Sequence, residues 1–215
     1  MTGLAGAYNS DGVDQGGQTV IITDYHGTLS GGYPQLGEEV SGAKSDLNVG
    51  LVKALIYAHL NGNEIAICSG NPSDPKDNFA KVLLGDIDAV FAELDCVSAM
   101  DKKNIKSALQ RQMDDPEADN GFISVWCKST FTQRVKERSG SSFLYFDDES
   151  SALARAKLEL GKFPNKIFDI NDLDAEDYLA NLTDSRASFM LAMDKFDQES
   201  AHAIQKINGP DIGQP

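Results

Sequence analysis

Cysteine, histidine and basic residues are scarce in this 215-residue chain, and each scarcity removes a class of function. The three cysteines, Cys68, Cys96 and Cys127, are odd in number and widely spaced, which excludes a disulfide framework and a zinc-ligand pattern. They read as reduced core residues of a cytosol-type compartment, a reading that leaves open export to act in another cell. His26, His59 and His202 are too few and too dispersed for a histidine-rich metal centre. Nineteen Lys and Arg against thirty-three Asp and Glu give a net charge of −14. A nucleic-acid groove needs clustered cations, so that partner is excluded. No apolar run approaches the roughly 20 residues of a membrane span, and the first residues lack the basic-then-apolar order of a signal peptide.

What the chain does have is an alternation of short apolar runs with helical periodicity. Thr19–Thr23, Glu64–Cys68, Ala89–Leu94, Phe122–Cys127, Phe143–Phe146 and Lys166–Ile170 read as strands. Asn48–Leu60, Lys76–Leu84, Lys102–Met113, Phe131–Arg138, Ala152–Leu160 and Arg186–Ile207 read as helices. Asn48 is placed to cap the first of them, with Val49, Val52, Leu55 and Ile56 as its apolar stripe. His59, in its last turn, reads as structural, at a place where a cation or donor is favoured. Strands alternating with helices imply an α/β fold, a Rossmann-like parallel sheet covered on both faces. The segment 1–17 reads as a loose arm, 18–184 as the α/β domain, 185–207 as a C-terminal helix packed on it and 208–215 as a tail. Turn residues between Ser30 and Asp46 fit a small flap, and neither long gap reads as a large cap domain. Asp114–Asp119 reads as a solvated acidic loop.

Polar groups stand at four strand ends: Asp24, Ser69 (followed by Gly70), Lys128 and the pair Asp147-Asp148. Parallel strands end on one side, so these groups can converge where open α/β sheets bind ligands. Several carboxylates with waters make an oxygen-rich site suited to Mg²⁺. A hydroxyl and an ammonium can hold phosphoryl oxygens, and an ionised aspartate can attack phosphorus. Plainer roles stand beside these. Asp24 could form a turn, Asp147-Asp148 could cap the following helix, and Ser69 could bond local backbone. Lys102, Lys103 and Lys136 compete with Lys128, whose 19-residue distance from Asp147 leaves room for one helix and one strand.

The order of these groups resembles the haloacid dehalogenase-like superfamily, over about Thr19 to Ile170. Its first motif, apolar residues and then Asp-x-Asp-Gly-Thr, is matched by Asp24-Tyr25-His26-Gly27-Thr28. Ser69, Lys128 and the FLYFDDES run at Phe143–Ser150 match its second, third and fourth motifs. The resemblance implies a capless, Mg²⁺-dependent phosphatase acting through an aspartyl-phosphate. Asp24 would be nucleophile, with Asp24, the His26 carbonyl, Asp147 and Asp148 as metal ligands. Ser69, Gly70 and Lys128 would bind the phosphate. His26 stands where the family has a second aspartate, and is the candidate acid/base, or else a turn residue. Dehalogenation needs an early arginine, and none precedes Arg111. Capless members tend to take bulky substrates, so the implied partner is a phosphorylated substrate, a phosphoprotein with phosphotyrosine foremost. The alternative is a catalytically weakened binding or regulatory module on the same scaffold.

Overall fold

The computed structural model describes residues 18–30, 47–71, 73, 75–115 and 121–208. The expected arm at 1–17, the flap within 31–46, most of the acidic loop and all but the first residue of the tail lie outside these. Among the described residues, five strands form one wholly parallel sheet in the order β3-β2-β1-β4-β5. They are β1 (Thr19–Thr23), β2 (Glu64–Ser69), β3 (Ser124–Cys127), β4 (Ser142–Asp147) and β5 (Asn165–Asp169). The helices are α1 (Val49–Leu60), α2 (Ala80–Ala92), α3 (Ala99–Asp114), α4 (Phe131–Lys136), α5 (Ser150–Leu160), α6 (Leu173–Thr183) and α7 (Arg186–Asn208).

Alternation along the strands divides the core in two. Ile21, Ile65, Ile67, Leu144 and Phe146 face one side, where α1, α2, α3, α6 and α7 pack. Val20, Ile22, Cys68, Trp126, Phe143 and Tyr145 face the other, against Phe131 and Val135 of α4 and Leu153, Ala156 and Leu160 of α5. The result is the expected α/β sheet with helices on both faces. Central strands buried on both sides need near-continuous apolar sequence, as in TVIIT and EIAICS.

Several expectations are corrected. Ala89–Leu94 is no strand: its residues close α2, whose Leu83, Ile87, Val90 and Phe91 are buried at helical spacing. A short apolar run cannot be assigned by periodicity alone, and here the run continues a helix. Lys76–Leu84 is helical as expected, but it starts as a π-helical turn, Pro75–Phe79, and runs on into the longer α2. Helix α6 was not anticipated, although Asp174 and Glu176 in its first turn and buried Ala175, Leu179 and Leu182 mark it. Asn48 does cap α1, accepting from Leu51 N at 3.0 Å, but Val49 is exposed and the buried face runs over Leu51, Val52, Leu55 and Ile56. His59 packs edge-on against Phe122, which fits its expected structural role, and burial lowers its pKa. Only Cys68 of the three free cysteines is buried; Cys96 is exposed and Cys127 half-buried.

Helix α7 is tied to the sheet by its core residues Phe189, Met193 and Phe196. Asp197 accepts from Thr19 Oγ1 at 2.6 Å and Ser142 Oγ at 3.0 Å, both buried hydroxyls at strand starts. Asp197→Ala should therefore cost roughly 1–3 kcal/mol in urea denaturation, with the transition slope unchanged. A wild-type midpoint would show that α7 contributes nothing through this contact.

Candidate active site at the sheet edge

The strand order reverses between β1 and β4, which opens a crevice at their carboxyl ends. Asp24 and Asp147 flank it. Thr23 pairs with Phe146, and the Asp24 amide donates to the Phe146 carbonyl at 2.9 Å, so Asp24 leaves β1 beside the end of β4. On the other side β2 ends at Ser69, in register with Cys127 of β3, and Lys128 opens a 3-10 turn directly after it. From there Lys128 Nζ reaches Asp24 Oδ1 at 3.1 Å, Asp147 Oδ2 at 3.3 Å and Glu149 Oε2 at 3.4 Å.

Asp147 is fully buried and held on both oxygens. Tyr145 donates its hydroxyl to Oδ2 at 2.7 Å, and the Glu149 amide donates to Oδ1 at 2.9 Å. The second contact gives Asp147 a role at the start of α5, which has no capping side chain of its own. Asp148 accepts from Thr28 Oγ1 at 3.2 Å. Gly27 is required here on two counts. Its φ of +79° favours glycine, and a Cβ on it would push the Asp148 carboxylate out of its place.

Oxygens of Asp24, Asp147 and Asp148 lie within 4.8 Å of one another. Burial, and then the charge of Asp147, push the Asp24 carboxyl up to about 6, with Lys128 pulling the other way. Burial would lower the Lys128 pKa, but Asp24 and Asp147 together outweigh it and hold the ammonium above its ordinary range. Burial and the neighbouring Asp147 raise the Tyr145 phenol, which stays protonated and donates. Lys128 meets Asp24 and Asp147, and Asp148 lies close to both; these three carboxylates could hold a divalent ion.

The structure thus brings Asp24, Lys128, Asp147 and Asp148 into one cluster. Ser69, buried at the same edge, accepts from the Asn71 amide at 3.3 Å, and Gly70 follows it in the open. The ring of His26 packs edge-on against Tyr25, with centroids 4.7 Å apart. Tyr145, Thr28 and Glu149 were not singled out from the sequence as site residues. Tyr145 stands two residues before Asp147 on one strand, hence on the same face, which is the signal that could have found it. No family model, curated protein or solved structure matches the chain.

The raised Asp24 pKa has a definite stability consequence in metal-free protein. Between about 3.8 and 6 the unfolded chain ionises Asp24 while the folded chain keeps it protonated. Asp24 therefore withdraws stability as pH rises through that window. In EDTA, Asp24→Asn should melt above wild type at pH 7, the gap closing as pH falls from 6 towards 4. A lower melting temperature for the variant at pH 7 would show that Lys128 fully compensates the buried charge.

Proposed function

We propose that the chain is a Mg²⁺-dependent phosphomonoester hydrolase of the haloacid dehalogenase-like type, acting through an aspartyl-phosphate on Asp24. The observation that carries this reading is the pairing of Asp24 with Lys128 and with two further carboxylates at the switch point of a parallel sheet. The donor set fits the ion. Asp24, Asp147 and Asp148 would hold Mg²⁺ with the His26 carbonyl; burial and then the Asp147 charge raise the Asp24 pKa, and a divalent cation would offset both. When bound, Mg²⁺ supplies charge neutralisation at the phosphoryl oxygens.

The side chains divide the remaining work. Lys128 holds Asp24 Oδ1 and offers its ammonium to the phosphoryl group, with Ser69 and Gly70 at the same edge. An Asp24 oxygen attacks phosphorus, the ester P–O bond breaks, and the leaving oxygen takes a proton from His26. Water then attacks the aspartyl-phosphate, giving its proton to His26 and releasing inorganic phosphate and the Asp24 carboxylate. Tyr145 and the Glu149 amide keep Asp147 in place throughout. A phosphoprotein side chain, phosphotyrosine foremost, goes with this reading, since a phenol departs with less help from an acid than an alcohol does. His26 also favours a second reading, a regulatory module with weakened chemistry, because it stands where a carboxylic acid is expected.

Turnover of p-nitrophenyl phosphate and of an alkyl phosphate, with Mg²⁺ and with EDTA, separates the two. The hydrolase loses turnover in EDTA and on Asp24→Asn. His26→Ala should slow the alkyl ester by roughly 10²–10⁴-fold and the aryl ester much less. Turnover that survives EDTA, or Asp24→Asn at the wild-type rate, overturns the hydrolase reading. No turnover on any ester, phosphopeptides included, favours the module.

A further inference from the structure

Beside the acidic cluster, on the α4–α5 face of the sheet, lies a cavity of about 210 Å³. Asp24, Asp147 and Asp148 do not line it; Lys128 does, and is the wall it shares with the cluster. Arg155 forms a second cationic wall. Glu149 lines it too, so the walls carry two cations and one exposed carboxylate. In a chain of net charge −14, that local excess of positive charge points to an anionic occupant. Lys128 is already engaged by three carboxylates, but Arg155 donates to Thr132 Oγ1 at 3.3 Å and has no carboxylate partner among the described residues.

We propose that this cavity binds a small organic monocarboxylate, which pairs with Arg155 and takes the place of Glu149 on Lys128. Glu149 is the partner that can yield. Its side chain is exposed, its contact with Lys128 is the longest of the three at 3.4 Å, and a solvated ion pair costs little to exchange. Ser151, which now donates to Glu149, stands on the cavity wall one helical turn before Arg155 and can donate to the ligand instead. A guanidinium matches the planar fork of a carboxylate. One negative charge suits the site better than two, since Glu149 stays nearby even when displaced. The ligand has an apolar body because Cys68, Phe131, Tyr145 and Ala152 form the rest of the lining, the two rings packed edge-on at 5.6 Å. The volume is that of about seven waters, at ~30 Å³ each, which holds a single ring or a short branched acid.

Occupancy then places a ligand carboxylate on the Lys128 ammonium that the phosphoryl group would use. The binding stands apart from the hydrolase reading; the effect on turnover rests on it.

Isothermal titration of the full chain with benzoate tests this, with benzamide as the uncharged isostere. Benzoate should saturate one site per chain, and benzamide should bind roughly tenfold or more weakly. Arg155→Gln should weaken benzoate by a similar factor, while Arg155→Lys retains part of the affinity. Asp24→Asn should bind at least as tightly as wild type, having lost a competitor for Lys128. Melting curves establish that the Arg155 variants are folded, as the exposed position of Arg155 leads one to expect. Absence of saturation in the millimolar range overturns the proposal, as does unchanged affinity in folded Arg155→Gln. In turnover, benzoate should inhibit wild type and spare Arg155→Gln. Binding without inhibition of an active chain overturns the exchange at Lys128. Arg155-dependent binding to a chain that hydrolyses no ester supports the cavity and counts against the hydrolase.

Discussion

The ammonium of Lys128 among the carboxylates of Asp24 and Asp147 is the contact on which the site depends. Both acids are buried at adjoining strand ends, and their mutual repulsion is felt directly, because burial and Asp147 together lift the Asp24 pKa. At about 4 Å and an effective dielectric near 20, one opposite unit charge is worth about 4 kcal/mol. That attraction offsets only part of the cost of burial and of the Asp147 charge, since the Asp24 pKa stays raised, and it leaves the cluster net negative. The fold therefore presents a net-negative site held by one cation, and it is here that the proposed Mg²⁺ would bind.

The packing of the described strands holds those three groups in place. Strands β1, β2 and β4 are buried on both faces, so their ends cannot shift without disturbing two cores at once. Asp147 is pinned from within its own strand by Tyr145 and from the start of α5 by the Glu149 amide. Gly27 lets the chain turn back close enough for Thr28 to reach Asp148. Lys128 comes from the edge strand β3, reaching over the end of β2, and is the one member of the cluster not carried by the two strands that flank the crevice.

The parts legible in the sequence were those with a strong local signature. TVIITD declares a buried strand ending in an acid, FLYFDD repeats the pattern, and parallel strands must end together. Lys128 was separable from Lys136 by spacing alone, since a helix and a strand must fit before Asp147. Less legible were features decided by packing. Val90 and Phe91 look like strand residues until Leu83 and Ile87 are seen to share their helical face. Helix α6 carries its signal in Ala175, Leu179 and Leu182, an apolar face thinned by acidic residues. His59 packs on Phe122, more than sixty residues on, a contact that no local pattern records. Glu149 and Arg155 gain their interest from a cavity between two helices, which no local pattern records.

The central claim is that Asp24 is a nucleophile, and the most direct measurement is to trap its product. Acid quenching of the chain during turnover with Mg²⁺, followed by borohydride reduction and peptide mass analysis, reads the modified residue. The account predicts an acyl-phosphate on Asp24, seen as its reduction to homoserine. It should be absent in EDTA and from Asp24→Asn. Hydrolysis that proceeds with Asp24 unmodified, or a phosphoryl group found on another residue, would contradict it.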